Sequence, residues 1–124
     1  MQQNIATELT QFIKESPSAF HAVAAMKKEF RANGFTALAE NERWHLQAGG
    51  NYFVTRNDSS IIAFSIPANG FDGIRIMASH SDSPSFKIKE NPEMEVEKQY
   101  IKLNVERYGG MIFAPWFDRP LSVA

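Results

Sequence analysis

The chain has 124 residues, 44% of them hydrophobic and 12% aromatic, which is enough apolar side chain for a folded core and argues against disorder. Thirteen Lys and Arg against fourteen Asp and Glu leave a formal net charge of −1, so no global field draws the chain to nucleic acid or to an acidic membrane surface. With no cysteine, disulfide frameworks, thiolate zinc sites and thiol nucleophiles are excluded, and any metal has to bind nitrogen and oxygen.

Ile5, Leu9, Phe12 and Ile13 recur at the spacing of one apolar stripe and predict a first amphipathic helix, stopped by Ser16-Pro17-Ser18. Its interleaved polar residues do not make a secretory signal. No apolar run approaches the length of a membrane span, so a cytoplasmic location is the default expectation. Ser18 is placed to cap a second helix whose buried side is predicted as Phe20, Val23, Met26 or Lys27, and Phe30, with Gly34 as its left-handed exit. The period then changes. Trp44 and Leu46, Tyr52 to Val54, and Ile61 to Ile66 read as three strands joined by two antiparallel hairpin connections, at Gly49-Gly50 and at Asn57-Asp58-Ser59-Ser60. After a loop at Asn69-Gly70 and Asp72-Gly73, Ile74 to Ala78 has the weak alternation of a strand buried on both faces, and Phe86 to Lys89 alternates as an edge strand.

Asn91 to Lys98 is the most charged stretch, and Pro92 within it argues against a central strand, so a domain boundary or excursion is expected there. Ile101, Leu103 and Val105 predict a half-buried strand before a turn at Gly109-Gly110. Met111 to Trp116 and Leu121 to Ala124 are too apolar for a solvated tail, which reads as a cut inside an unfinished domain. The class is therefore mixed α/β: two N-terminal helices followed by a mixed sheet.

The densest polar constellation is Ala78-Ser79-His80-Ser81-Asp82-Ser83-Pro84, which directly follows the strand predicted over Ile74 to Ala78. In extended backbone His80 and Asp82 project to one side, so the imidazole could bind a divalent metal while the carboxylate fixes its tautomer and orientation. On the triplet alone, a hydrogen-bonded surface turn is the commoner outcome. A serine-hydrolase reading of Ser79, Ser81 and Ser83 is weaker, because no Gly-x-Ser-x-Gly elbow is present. His21 reads as a packing or capping residue and His45 as solvent-facing. Asp118 and Arg119 read as a local salt bridge among aromatics.

Ser16-Pro17-Ser18-Ala19-Phe20-His21-Ala22-Val23, Tyr52 to Asn57 with Ser59 to Phe64, Ala78 to Pro84, and Tyr108-Gly109-Gly110 with Trp116-Phe117-Asp118-Arg119 occur in one order. Together they resemble the N-terminal portion of the aspartyl aminopeptidase family of metallopeptidases, over residues 12–124. The resemblance implies a zinc-dependent α/β peptidase domain interrupted by a β-rich insertion. Residues 1–90 would begin the peptidase domain and residues 91–124 would begin the insertion, making the chain a truncated piece of a longer protein.

By the same resemblance the parent removes N-terminal residues, often acidic ones, from peptides, using two zinc ions, and assembles as a homo-oligomer. His80 matches the family's first zinc ligand, and Asp82 the catalytic carboxylate that orients a metal-bound histidine. The remaining ligands and the glutamate base of the family fall beyond Ala124, so the chain alone is expected to have no peptidase activity and at most weak metal affinity. The competing expectation is a small noncatalytic module that binds a partner or itself through free strand edges and the Met111 to Trp116 segment. Ser81 stands where family members commonly have Thr, and Pro120 where some have an acidic residue.

Overall fold

The computed structural model describes residues 2–118, 120 and 121, with side chains from residue 4 onward. Two compact units divide at Asp82 and Ser83.

In the first unit, α1 (Gln2–Glu15) and α2 (Ala19–Ala32) are the two expected helices, and they pack against each other. Ser18 caps α2: its backbone is extended and its hydroxyl accepts from the His21 N–H at 3.5 Å, so one of the unpaired donors of the first turn is satisfied. The other end closes as a Schellman turn. Phe35 N–H bonds back to the Phe30 carbonyl at 2.9 Å and Gly34 N–H to the Arg31 carbonyl at 3.1 Å, while Gly34 takes the left-handed φ of 79° that such a turn requires. The Phe30 and Phe35 rings, 4.9 Å apart, supply the apolar contact that accompanies this motif. On α2, Ala22 and Val23 are buried, and Met26, Lys27 and Phe30 are partly covered; Phe20, expected on the buried side, is exposed. The stripe of α1 remains open to solvent among the described residues.

The sheet has the order β1-β2-β3, with β1 at Thr36–Leu38, β2 at Asn51–Arg56 and β3 at Ser60–Ser65. β2 and β3 form the expected antiparallel hairpin. Asn57 and Asp58 both lie in the left-handed region (φ 51° and 50°), the turn whose twist matches that of the flanking strands, and Ser59 N–H closes it on the Arg56 carbonyl at 3.2 Å. The first predicted hairpin is replaced. Trp44 and Leu46 are not in a strand; the neighbour of β2 is β1, and it runs parallel. Residues 39–50 form a connection long enough to return the chain to the same end of the sheet, as a parallel pair requires. Trp44 instead donates its indole N–H to the Ala39 carbonyl at 2.8 Å and stacks on Phe64, with ring centroids 6.1 Å apart.

The core lies between α2 and β2: Val23 and Phe53 are almost fully covered, and Phe53 stacks on Phe30 at 5.8 Å with the Arg31 guanidinium 5.6 Å from its ring. Tyr52, on the other face of β2, is held by its hydroxyl, which accepts from Gln47 N–H at 2.9 Å.

Ile74 to Ala78 departs from expectation. It forms no strand, and Ile74, Ile76 and Met77 are 74, 82 and 99% exposed. A strand is completed by hydrogen bonds to a neighbour, and among the described residues no segment pairs with this one.

The second unit is a two-stranded antiparallel ribbon of β4 (Ser85–Val96) and β5 (Tyr100–Tyr108), followed by the short helix α3 (Ala114–Phe117). The charged stretch Asn91 to Lys98 is thus the second half of β4 and the turn into β5. Pro92 is accommodated because the register shifts between Ile88 and Glu93, which leaves its missing N–H without a ladder partner to disappoint. Asn104 donates its side-chain amide to the Asn91 carbonyl at 3.0 Å across the irregularity. β5 contains Ile101, Leu103 and Val105 as expected, but all three are exposed, since among the described residues no second layer covers the ribbon. Phe86 meets Trp116 edge-on at 5.5 Å and Phe113 at 6.3 Å, and the Arg107 guanidinium lies 5.4 Å from the Phe113 ring. Asp118 caps α3, whereas Arg119, its expected salt-bridge partner, lies outside the described residues.

Candidate metal-binding site

His80 and Asp82 sit at the end of the first unit, in irregular backbone after the exposed Ile74 to Ala78 segment. Three local interactions establish their surroundings. Ser81 Oγ donates to the Ser59 carbonyl at 3.4 Å, tying the segment to the β2–β3 turn. Asp58, in that turn, is bonded at 2.9 Å by Lys27 Nζ from α2, which fastens the turn to the helix. His80 Nδ1 lies 2.7 Å from the backbone carbonyl of Asp82 and 3.4 Å from its carboxylate Oδ1.

The first of these His80 distances decides the tautomer. A carbonyl oxygen has no proton to give, so a contact of 2.7 Å requires Nδ1 to carry the hydrogen and donate it. In the neutral ring the lone pair then resides on Nε2, which is the form in which histidine ligates a metal while its other nitrogen is held by an oxygen. The ring is accessible: its side chain is 83% exposed, against 35% for Asp82. His80 and Asp82 are thus brought together as expected, with the backbone carbonyl as the nearer acceptor and the carboxylate next to it.

The other candidates are placed elsewhere. His21 Nδ1 is 2.7 Å from Ser18 Oγ, so this ring belongs to the helix cap, and His45 is exposed in irregular backbone. Ser81 Oγ is directed to the Ser59 carbonyl and not to the His80 ring, which removes Ser81 from the serine-hydrolase reading. The tether between Ser81 and Ser59, 22 positions apart, was not visible in the sequence. Nothing in the local pattern of either serine signals it.

The donor set fits one corner of a zinc site: an accessible imidazole nitrogen with its lone pair free, and a carboxylate beside the same ring. Among the described residues, no three His, Asp or Glu side chains gather closely enough to enclose a metal ion. One imidazole can hold a cation weakly, but metal-assisted hydrolysis needs about three protein ligands with an open position and a base for the water proton.

The sequence model of the aminopeptidase I zinc metalloprotease family, M18, matches residues 12–124. The chain belongs to that family. The probable M18 family aminopeptidase 2 of Clostridium novyi is 52% identical over 122 residues, covering 96% of this chain and 28% of the relative. The protein of the same description from Pseudomonas aeruginosa is 44% identical over 126 aligned positions, covering 100% and 29%. Among solved structures, Ape4, determined in complex with Nbr1, superposes with a TM-score of 0.86 at 39% identity over 92% of this chain and 22% of that one. Yeast aminopeptidase 1 gives 0.84 at 27% identity, over 94% and 28%. The chain therefore spans under a third of the length of the M18 relatives it matches. No helix among the described residues is long and apolar enough to cross a membrane.

Proposed function

We propose that this chain is the N-terminal portion of a zinc-dependent aminopeptidase that removes N-terminal residues, acidic ones by preference, from peptides. His80 serves as a metal ligand through Nε2, and Asp82 orients its ring. The observation that carries this reading is the short bond from His80 Nδ1 to the Asp82 carbonyl, which in the neutral ring puts the lone pair on Nε2 of an accessible side chain. Zinc, when bound, polarises a scissile carbonyl and acidifies water. The chain's own residues hold the imidazole in one tautomer and place a carboxylate against it.

In this reading the division of the longer protein into a peptidase domain beginning in residues 1–90 and an inserted β-rich domain beginning in residues 91–124 is part of the proposal. So are a second zinc ion, a cytoplasmic location and a homo-oligomeric state. A solved relative at 26% identity, the mApe1 of S. cerevisiae, is a dodecamer, which supports assembly as the working expectation.

Two measurements test the site. The 124-residue chain is expected to show no release of aspartate or glutamate from chromogenic aminoacyl substrates with added zinc. Turnover above that of a His80→Ala control would overturn the inactivity. In the longer protein, His80→Ala is expected to lose bound zinc together with activity, and Asp82→Asn to weaken metal affinity by about 10–100-fold. Full zinc content and full activity in His80→Ala would remove the assignment.

A further inference from the structure

The sequence contains two Asn-Gly pairs, Asn33-Gly34 and Asn69-Gly70, and the fold treats them in opposite ways. Asn-Gly is the dipeptide most open to intramolecular attack, because glycine has no side chain to shield its amide nitrogen and the backbone around it is least restricted. At such a pair the glycine nitrogen, after losing its proton to base, forms a bond to the asparagine Cγ. The Cγ–N bond to the side-chain amide then breaks and ammonia leaves, giving a five-membered succinimide. Water opens that ring at either carbonyl, yielding aspartate or isoaspartate. Overall one water is consumed and one ammonia released, with no oxidant or reductant.

Both partners of this reaction are restrained at Asn33-Gly34. The Asn33 amide donates to the Glu29 carbonyl and to Glu29 Oε1, each at 2.9 Å, and Gly34 N–H, whose nitrogen is the nucleophile, is engaged at 3.1 Å by the Arg31 carbonyl in the Schellman turn. Attack there requires the end of α2 to open. Asn69-Gly70 lies in the exposed loop between β3 and the Ile74 to Ala78 segment. Among the described residues no hydrogen bond holds the Asn69 side chain, no backbone bond engages Gly70 N–H, and a methyl group placed on Gly70 would meet nothing within 4 Å. The electrophile is free to turn and the nucleophile is free to approach.

We propose that Asn69 is a site of spontaneous deamidation and isoaspartate formation in the folded chain, and that Asn33 is protected by the cap of α2. The product adds one negative charge, taking the formal net charge from −1 to −2, and in its isoaspartyl form lengthens the backbone by one methylene in the loop leading to His80. It is a substrate of the chemical class taken by isoaspartyl carboxyl methyltransferases.

The test is incubation of the chain at mildly alkaline pH, followed by peptide mapping and by labelling with an isoaspartyl carboxyl methyltransferase and a radioactive methyl donor. The peptide containing Asn69 is expected to gain the mass of NH₂ replaced by OH and to take the methyl label. The peptide containing Asn33 is expected to do so at least about tenfold more slowly, since three hydrogen bonds must break first. In urea the two rates should converge, and Asn69→Gln should abolish the early label. Equal rates in the folded chain, or faster reaction at Asn33, would overturn the proposal.

Discussion

Replacing Phe53 with alanine should unfold the first unit more effectively than any other single truncation in it. Phe53 is 2% exposed, faces Phe30 across a stacked contact of 5.8 Å and lies beneath the Arg31 guanidinium. Truncation removes the transfer free energy of the ring, roughly 1.5–3 kcal/mol, the aromatic pairing and the cation–π contact, and leaves a void between α2 and β2. The expected total is about 3–5 kcal/mol. A unit of this size commonly has about 4–12 kcal/mol of stability, so the loss consumes much or all of it. With a urea slope of about 1 kcal/mol per molar, the midpoint should fall by about 3–5 M. Far-ultraviolet circular dichroism during urea titration reads this directly, with Ile62→Ala as the control. Ile62 lies on neighbouring β3 but is exposed, and its truncation should change stability by no more than about 0.5 kcal/mol. A Phe53→Ala shift below about 1 kcal/mol, or an equal shift for Ile62→Ala, would refute the placement of the core between α2 and β2.

Gly50→Ala should destabilise by about 1–3 kcal/mol, because a Cβ there would fall 2.6 Å from the Tyr52 ring, which is buried in β2 and bonded through its hydroxyl to Gln47; a midpoint unchanged in urea would contradict this. Glu40 accepts from Arg56 Nε at 2.8 Å, and this hydrogen bond holds its carboxyl below the usual 4.5 against the opposing desolvation, with the Coulomb attraction to Arg56 adding a lesser lowering. Its contribution is therefore present above the unfolded value near 4.5 and is lost as pH falls through the lower folded value. Both groups are exposed, so the effect should be small, diminished by salt and absent in Glu40→Gln; urea midpoints between pH 7 and pH 3 check it, and an unaltered acid limb in Glu40→Gln would count against the pairing.

Much of the first unit was legible in the chain itself. Helix periodicity, a serine cap, a glycine exit and an Asn-Asp turn are local signals, each acting through bonds among residues a few positions apart, and α1, α2, β2, β3 and the β2–β3 turn follow from them. The proximity of His80 and Asp82 was likewise legible from their spacing of two residues, but that the backbone carbonyl of Asp82 is the nearer acceptor, at 2.7 Å against 3.4 Å for its carboxylate, was not. The identity of the neighbour of β2 was not. Pattern alone favoured a hairpin from Trp44 to Leu46, but strand pairing depends on segments far apart in sequence, and the structure selected Thr36–Leu38 in parallel register while turning Trp44 into a cover for Phe64. Ile74 to Ala78 shows the same division from the other side. Its composition is that of a buried strand, yet a strand exists only where another offers its N–H and C=O groups, and none does so among the described residues. Composition and local periodicity determined which stretches could be helix, strand or turn. Only the tertiary structure decided which of them found partners, because those partnerships are made by surfaces that the local sequence does not encode.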